Sequence, residues 1–145
     1  MQRIHSRHQA TLYEDAFSPL CMIAKNNAEA DGIMRILEEH CASVPHLTAV
    51  RNDIYARLSH ADYHKGAVAA EAARVLGISI QEIFVAGDHL NDLPMLDRDA
   101  AGFIAAPSNA IPEVRQKVAS QGGYLSPLPC GHGVLDALQH FLPSL

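Results

Sequence analysis

"EIFVAGDHLNDLPML", residues 82–96, passes from a short apolar run into a turn that holds two carboxylates and an amide. The run Ile83-Phe84-Val85-Ala86 is continuous rather than alternating, as expected of a parallel strand covered on both faces. Gly87 lets the backbone turn sharply where that strand ends. Asp88 and Asp92 follow four residues apart, with His89 and Asn91 between them. In open α/β sheets, ligands gather at the carboxyl ends of strands. One reading makes Asn91 or Asp92 a helix cap, and a short helix with Pro94 in its first turn is expected next. A cap accounts for one carboxylate, not for two with an amide between. Hard oxygen ligands in this position suit Mg²⁺, which takes one or two carboxylates together with phosphate and water.

The flanking sequence alternates strand and helix. Upstream, Val68, Ala72, Val75 and Leu76 fall on one helical face, and Gly77 closes that helix as a C-cap. Downstream come "GFIAA" (102–106), a helix from about Ala110 to Ser120, a Gly-rich turn at "QGGY", and a helix through Val134, Leu138 and Phe141. This alternation is the signature of a parallel α/β sheet. Before residue 60 the pattern differs. "LCMIA" (20–24) reads as a buried strand, and Asn26 or Asn27 caps a helix carrying Ile33, Ile36, Leu37 and Cys41. "LTAVRN" (47–52) and "DIYARLS" (53–59) read as two strands, the second with one wet face. The expected division is a loose leader over 1–16, an α+β module over 17–61, and an α/β module over 62–145.

Composition excludes several classes. Of the 145 residues, 48% are hydrophobic and 19% charged, which is a globular balance. A net charge of −5 argues against nucleic-acid binding, while a divalent cation would still permit a phosphorylated substrate. No apolar run approaches the ~20 residues of a membrane span, and the first residues have no signal-like apolar core, so no membrane association is expected. Cys21, Cys41 and Cys130 have no metal-ligand spacing and form no even disulfide set, which points to a reducing, cytoplasmic setting. His5, His8, His60, His64 and the Cys130/His132 pair are read as solvated or capping residues rather than metal ligands.

Lys65 opens the 65–76 helix beside Gly66. A cation is mildly disfavoured there by the macrodipole, yet a helix start also points N–H groups at a bound anion. "HKG" (64–66), followed by "GDHLNDLPML" (87–96), resembles the third and fourth motifs of the haloacid dehalogenase (HAD) superfamily, in the branch of Cof-type and sucrose-phosphate-phosphatase-like enzymes with a large α/β cap. "APSNAIPEV" and "GHGVLDAL" are similar to that family's C-terminal stretch. The resemblance implies an α/β fold: the C-terminal half of a Rossmann-like parallel sheet, plus part of an α+β cap. It implies a Mg²⁺-dependent phosphatase of phosphorylated small molecules. Asp88 would then bind the metal and Asp92 would hold it through water or from behind. Lys65 would stabilise charge on the nucleophile and the transferring phosphoryl group, with Asn91, Gly66 and His89 near substrate.

The family opens its core with a strand and DxDx(T/V), whose first Asp attacks phosphorus. The one DxD here, Asp97-Arg98-Asp99, follows the acidic loop rather than an apolar strand, and is rejected as a nucleophile. Ser59 ends a strand but leaves no room for a cap before Lys65. The expectation is therefore a truncated or mis-started half, inactive alone, whose sheet edge is covered by self-association or a complementing chain. The alternative is a non-catalytic remnant or binding module that keeps an acidic cation site.

Overall fold

A computed structural model describes residues 2–142, and the chain divides into two units, Met1–Tyr63 and His64–Leu145. The first unit contains α1 (Gln2–His5), β1 (Ala10–Asp15), β2 (Ser18–Ala24), α2 (Asn27–Cys41), β3 (Leu47–Asn52) and β4 (Tyr55–His60). Its four strands form an antiparallel sheet in the order β1-β2-β4-β3. Asn26 caps α2 by accepting the Glu29 N–H at 2.9 Å, so the helix starts where the amide side chain can take an otherwise orphaned donor. Ala30, Ile33 and Leu37 of α2 bury against Met22, Ala24, Ala56 and Leu58 of the sheet. The alternation along β4 holds, with Ala56 and Leu58 inside and Tyr55 and Arg57 outside.

Residues 2–15 are not a loose leader. Ile4 lies in the core of this unit, β1 pairs with β2 from Ala10↔Ala24 to Asp15↔Ser18, and His8 Nδ1 bonds Glu29 Oε2 at 2.8 Å. Gly32 makes that docking possible, because a Cβ there would collide with the His8 ring. One buried aliphatic and a strand exposed along most of its length leave little periodicity to read.

The second unit contains α3 (Lys65–Leu76), β5 (Phe84–Ala86), β6 (Phe103–Ala106), α4 (Pro112–Ser120), β7 (Tyr124–Leu125) and α5 (Cys130–Phe141). The three strands are parallel in the order β5-β6-β7. Side chains alternate between the two faces of β6. Ile104 and Ala106 join Val85, Val114 and Val118 in the core, whereas Phe103 and Phe84 meet the Phe141 ring of α5, at 5.2 and 6.1 Å between centroids. Tyr124 marks a two-residue strand where only a turn was expected.

Two further expectations need correction. The segment after the acidic loop is not an α-helix. Leu90–Asp92 forms a 3₁₀ turn, and the following chain continues through i→i−3 bonds from Leu93, Met95 and Leu96, Pro94 between them having no N–H to give. The apolar stripe of α3 is also not a core face. Val68, Val75 and Leu76 are 68%, 66% and 69% exposed, and only Gly66 and Ala73 of the helix are buried. Periodicity reports that a helix has an apolar side, not what covers it. Gly77 does end α3 in the left-handed conformation, at φ 68°. No helix among the described residues is long and apolar enough to cross a membrane.

Candidate functional site

His64 sets the start of α3, its ring Nδ1 accepting the Ala67 N–H at 3.1 Å. Lys65 thereby stands on the first turn, and its ammonium donates to Asp92 Oδ1. The two side chains differ in exposure, 48% for Lys65 against 5% for Asp92. Asp92 Oδ2 accepts two main-chain donors, the N–H of Asp88 at 2.9 Å and of His89 at 3.2 Å. A buried carboxylate with three donors has its charge compensated where it sits. Asp92 therefore fixes the backbone of the acidic loop and the position of the lysine at once. The capping reading needs correction: His89 is the N-cap of the 3₁₀ turn, and Asp92, its third residue, reaches back to the His89 N–H.

Gly66 and Gly87 permit this close assembly. Both are buried. A Cβ on Gly66 would collide with the Pro94 carbonyl oxygen, and one on Gly87 with the Asp92 side chain. Gly66 thus has a packing reason of its own beside the helix-start reading given to it from sequence.

Asp88, by contrast, is exposed. Its Oδ2 accepts from Asn109 Nδ2 at 3.2 Å, and its carbonyl accepts the Ile111 N–H at 3.0 Å. Asn109 is itself held, its Oδ1 accepting the Cys130 N–H at 2.6 Å. Sequence reasoning missed this residue. "APSNAIPEV" was noticed as a stretch, but nothing in it singles out one amide as the tether of Asp88. Asn91 Oδ1 is buried with no hydrogen-bond partner among the described residues. Such an acceptor costs about 1–3 kcal/mol when left unmet, so the loop carries an oxygen suited to a further donor. His89, two positions earlier in the loop, is half-buried.

These donors fit Mg²⁺. Asp88 offers an exposed, hard carboxylate, and Mg²⁺ takes the rest of its shell from water and phosphate. Both oxygens of Asp92 are already engaged, which fits it to hold the loop rather than to ligate directly. The rejected DxD is occupied otherwise. Asp97 pairs with Lys117, whose ammonium holds the Asp97 carboxyl below the usual carboxylate range. Arg98 donates to the carbonyls of Gln121, Gly102 and Gly122.

The description that matches the chain, over residues 3–136, is haloacid dehalogenase-like hydrolase. The chain belongs to that family. The HAD-like chain is 31% identical over 85 residues to the phosphoglycolate phosphatase of Methanothermobacter thermautotrophicus, a match over 59% of this chain and 36% of that protein. A phosphatase of the haloalkanoate superfamily from Bacteroides thetaiotaomicron is similar at TM-score 0.61 and 28% identity, over 84% of this chain and 41% of that one. The sucrose-phosphatase of Synechocystis shares the fold at TM-score 0.74 and 16% identity, over 97% of this chain and 60% of that one. The HAD-like chain thus spans roughly a third to three-fifths of the length of these relatives.

Proposed function

We propose that this chain carries the Mg²⁺- and phosphate-facing part of a phosphatase acting on phosphorylated small molecules in a reducing, cytoplasmic setting. The observation that supports it best is the buried carboxylate of Asp92, which ties Lys65 to the main chain of Asp88 and His89. Phosphoryl transfer is catalysed largely by positioning and by neutralising spread charge. In this reading Asp88 would hold Mg²⁺, which would neutralise charge at the phosphate when bound. Lys65 orients the phosphoryl oxygens and offsets their charge, with Asp92 as its positioning residue. Gly66, Asn91 and His89 line the approach of the phosphate.

The nucleophilic carboxylate is proposed to come from polypeptide beside β5, which is an edge strand of the three-stranded sheet. An unpaired edge accepts another strand readily. The exposed stripe on α3 supports the same idea, that a complementing segment, or a second copy when the chain is alone, covers apolar surface.

The experiment is calorimetric titration of Mg²⁺ into the chain with inorganic phosphate present. Saturable binding is expected, absent in Asp88→Asn and weakened in Lys65→Met. Equal heats in all three proteins overturn the site. A Mg²⁺-dependent turnover of p-nitrophenyl phosphate by the chain alone, abolished in Asp88→Asn, overturns the external nucleophile. A second reading, a non-catalytic module with an acidic cation site, predicts Mg²⁺ binding that phosphate does not strengthen.

A further inference from the structure

His46, His60 and Asp62 belong to the first unit and have no part in the site above. β4 ends at His60, and the ladder pairs His60 with Leu47. One step further the Ala61 N–H donates to the His46 carbonyl at 2.7 Å. Regular alternation would turn the His46 and His60 side chains to opposite faces. His46 does not follow it. Its φ of 59° lies in the left-handed region, which an L-residue other than glycine occupies at some cost. The result is that the two imidazoles stack, 5.3 Å between centroids and 12° between planes.

Asp62 closes the group from the turn after β4, where the Tyr63 N–H donates to the His60 carbonyl at 3.1 Å. Asp62 Oδ2 lies 3.5 Å from His46 Nδ1 and 3.8 Å from His60 Nδ1. Both separations are long for a hydrogen bond. They are close to the ~3.3 Å between neighbouring ligands of a tetrahedral ion with bonds of about 2.0–2.1 Å. One ligand atom from each of the three residues lies within 4.8 Å of the others. His60 Nδ1 also accepts the Asp62 N–H at 3.3 Å, a long bond that an ion bound at this nitrogen would displace, since the ring nitrogen has one lone pair to give. All three residues are exposed, so an ion can enter and keep water on its open positions.

We propose that His46, His60 and Asp62 bind a divalent transition-metal ion of the Zn²⁺ class, through two imidazole nitrogens and one carboxylate oxygen. Imidazole selects Zn²⁺, Cu²⁺, Ni²⁺ and Co²⁺ over Mg²⁺, which prefers oxygen. The ion ties the start of β3 to the turn after β4, and so closes the open end of that hairpin. The site is independent of the Mg²⁺ reading of the acidic loop.

The test is titration of the chelator-stripped full chain with Co²⁺, followed by its visible absorption, with Zn²⁺ as competitor. One equivalent of Co²⁺ is expected to give saturable bands that Zn²⁺ displaces and excess Mg²⁺ does not. His60→Ala, Asp62→Asn and His46→Asn each weaken binding by at least ~10-fold, since changes around a metal's ligands alone cost 10–100-fold. Asn at 46 keeps a residue that tolerates the left-handed backbone. Glu14→Gln, at an exposed carboxylate of β1 outside the group, binds Co²⁺ as the unaltered chain does. Zn²⁺ raises the melting temperature of the unaltered chain and leaves that of His46→Asn/His60→Ala where it was. Absent bands in the unaltered chain, or unchanged affinity in that double variant at an unchanged metal-free melting temperature, overturn the proposal.

Discussion

Lys65 and Asp92 are 27 positions apart in sequence and meet through an ammonium-to-carboxylate bond at the first turn of α3. The pair is asymmetric, because the lysine is half in water while the aspartate is buried and also holds the N–H groups of Asp88 and His89. Asp92→Ala strands those two donors and is expected to cost about 1–3 kcal/mol. Lys65→Met removes a half-exposed ion pair and is expected to cost under about 1 kcal/mol. Urea unfolding compares them, and equal losses contradict the asymmetry.

Gly66→Ala tests how closely α3 approaches the loop. Alanine in a helix ordinarily gains about 0.5–1 kcal/mol over glycine. Here its Cβ would strike the carbonyl oxygen of Pro94, a main-chain atom with no alternative rotamer. The expected sign is therefore reversed, a loss of about 1–3 kcal/mol from overpacking. Weaker Mg²⁺ binding accompanies it because Lys65 moves with the helix. A raised melting temperature rules this out.

Much of this was legible in the sequence, for reasons that can be named. Ile83 to Ala86 followed by Gly87 marked the β5 end, and the caps at Asn26 and Gly77 are local signals that tertiary context did not override. Asp88, Asp92 and Lys65 were singled out as one cluster, and the structure joins them through Asp92. What could not be read depends on contacts distant in sequence. Asn109 became a tether only once α5 brought the Cys130 N–H against it. The leader became structure because Gly32 left room for a ring 24 positions earlier, that of His8. His46 sits beside His60 only because its backbone leaves the strand pattern.

The Asp97–Lys117 pair supplies the pH dependence. Lys117 lowers the Asp97 carboxyl relative to its unfolded value, first through their hydrogen bond. A depressed carboxylate stabilises the fold above the unfolded value of ~3.9, and the contribution disappears as pH falls through the lower folded value. Both side chains are about one-third exposed, 30% for Lys117 and 35% for Asp97, so solvent screening limits the effect to under about 1 kcal/mol. Lys117→Met should narrow the stability difference between pH 6 and pH 3 (approximate ends of the window), and added salt should do the same to the unaltered chain. Thermal melts at both pH values decide it. A pH slope unchanged by the substitution is the contrary result.

The exposed stripe on α3 gives the last expectation. Val68 and Val75 lie seven positions apart and Leu76 one further, so the three share a helical side, and each is at least 66% exposed. Apolar side chains grouped this way on a free surface favour association. The isolated chain is expected to self-associate as its concentration rises. Val68→Glu with Leu76→Glu should shift it toward monomer, because charge at both positions makes burial of the stripe costly. Neither residue packs in the core of its unit, so the substitutions should change stability by no more than about 0.5 kcal/mol each. Sedimentation over a concentration series reads the association, and a thermal melt reads the fold. A monomeric unaltered chain, or a double variant that associates equally well, would show that this helix face is not what draws the molecules together.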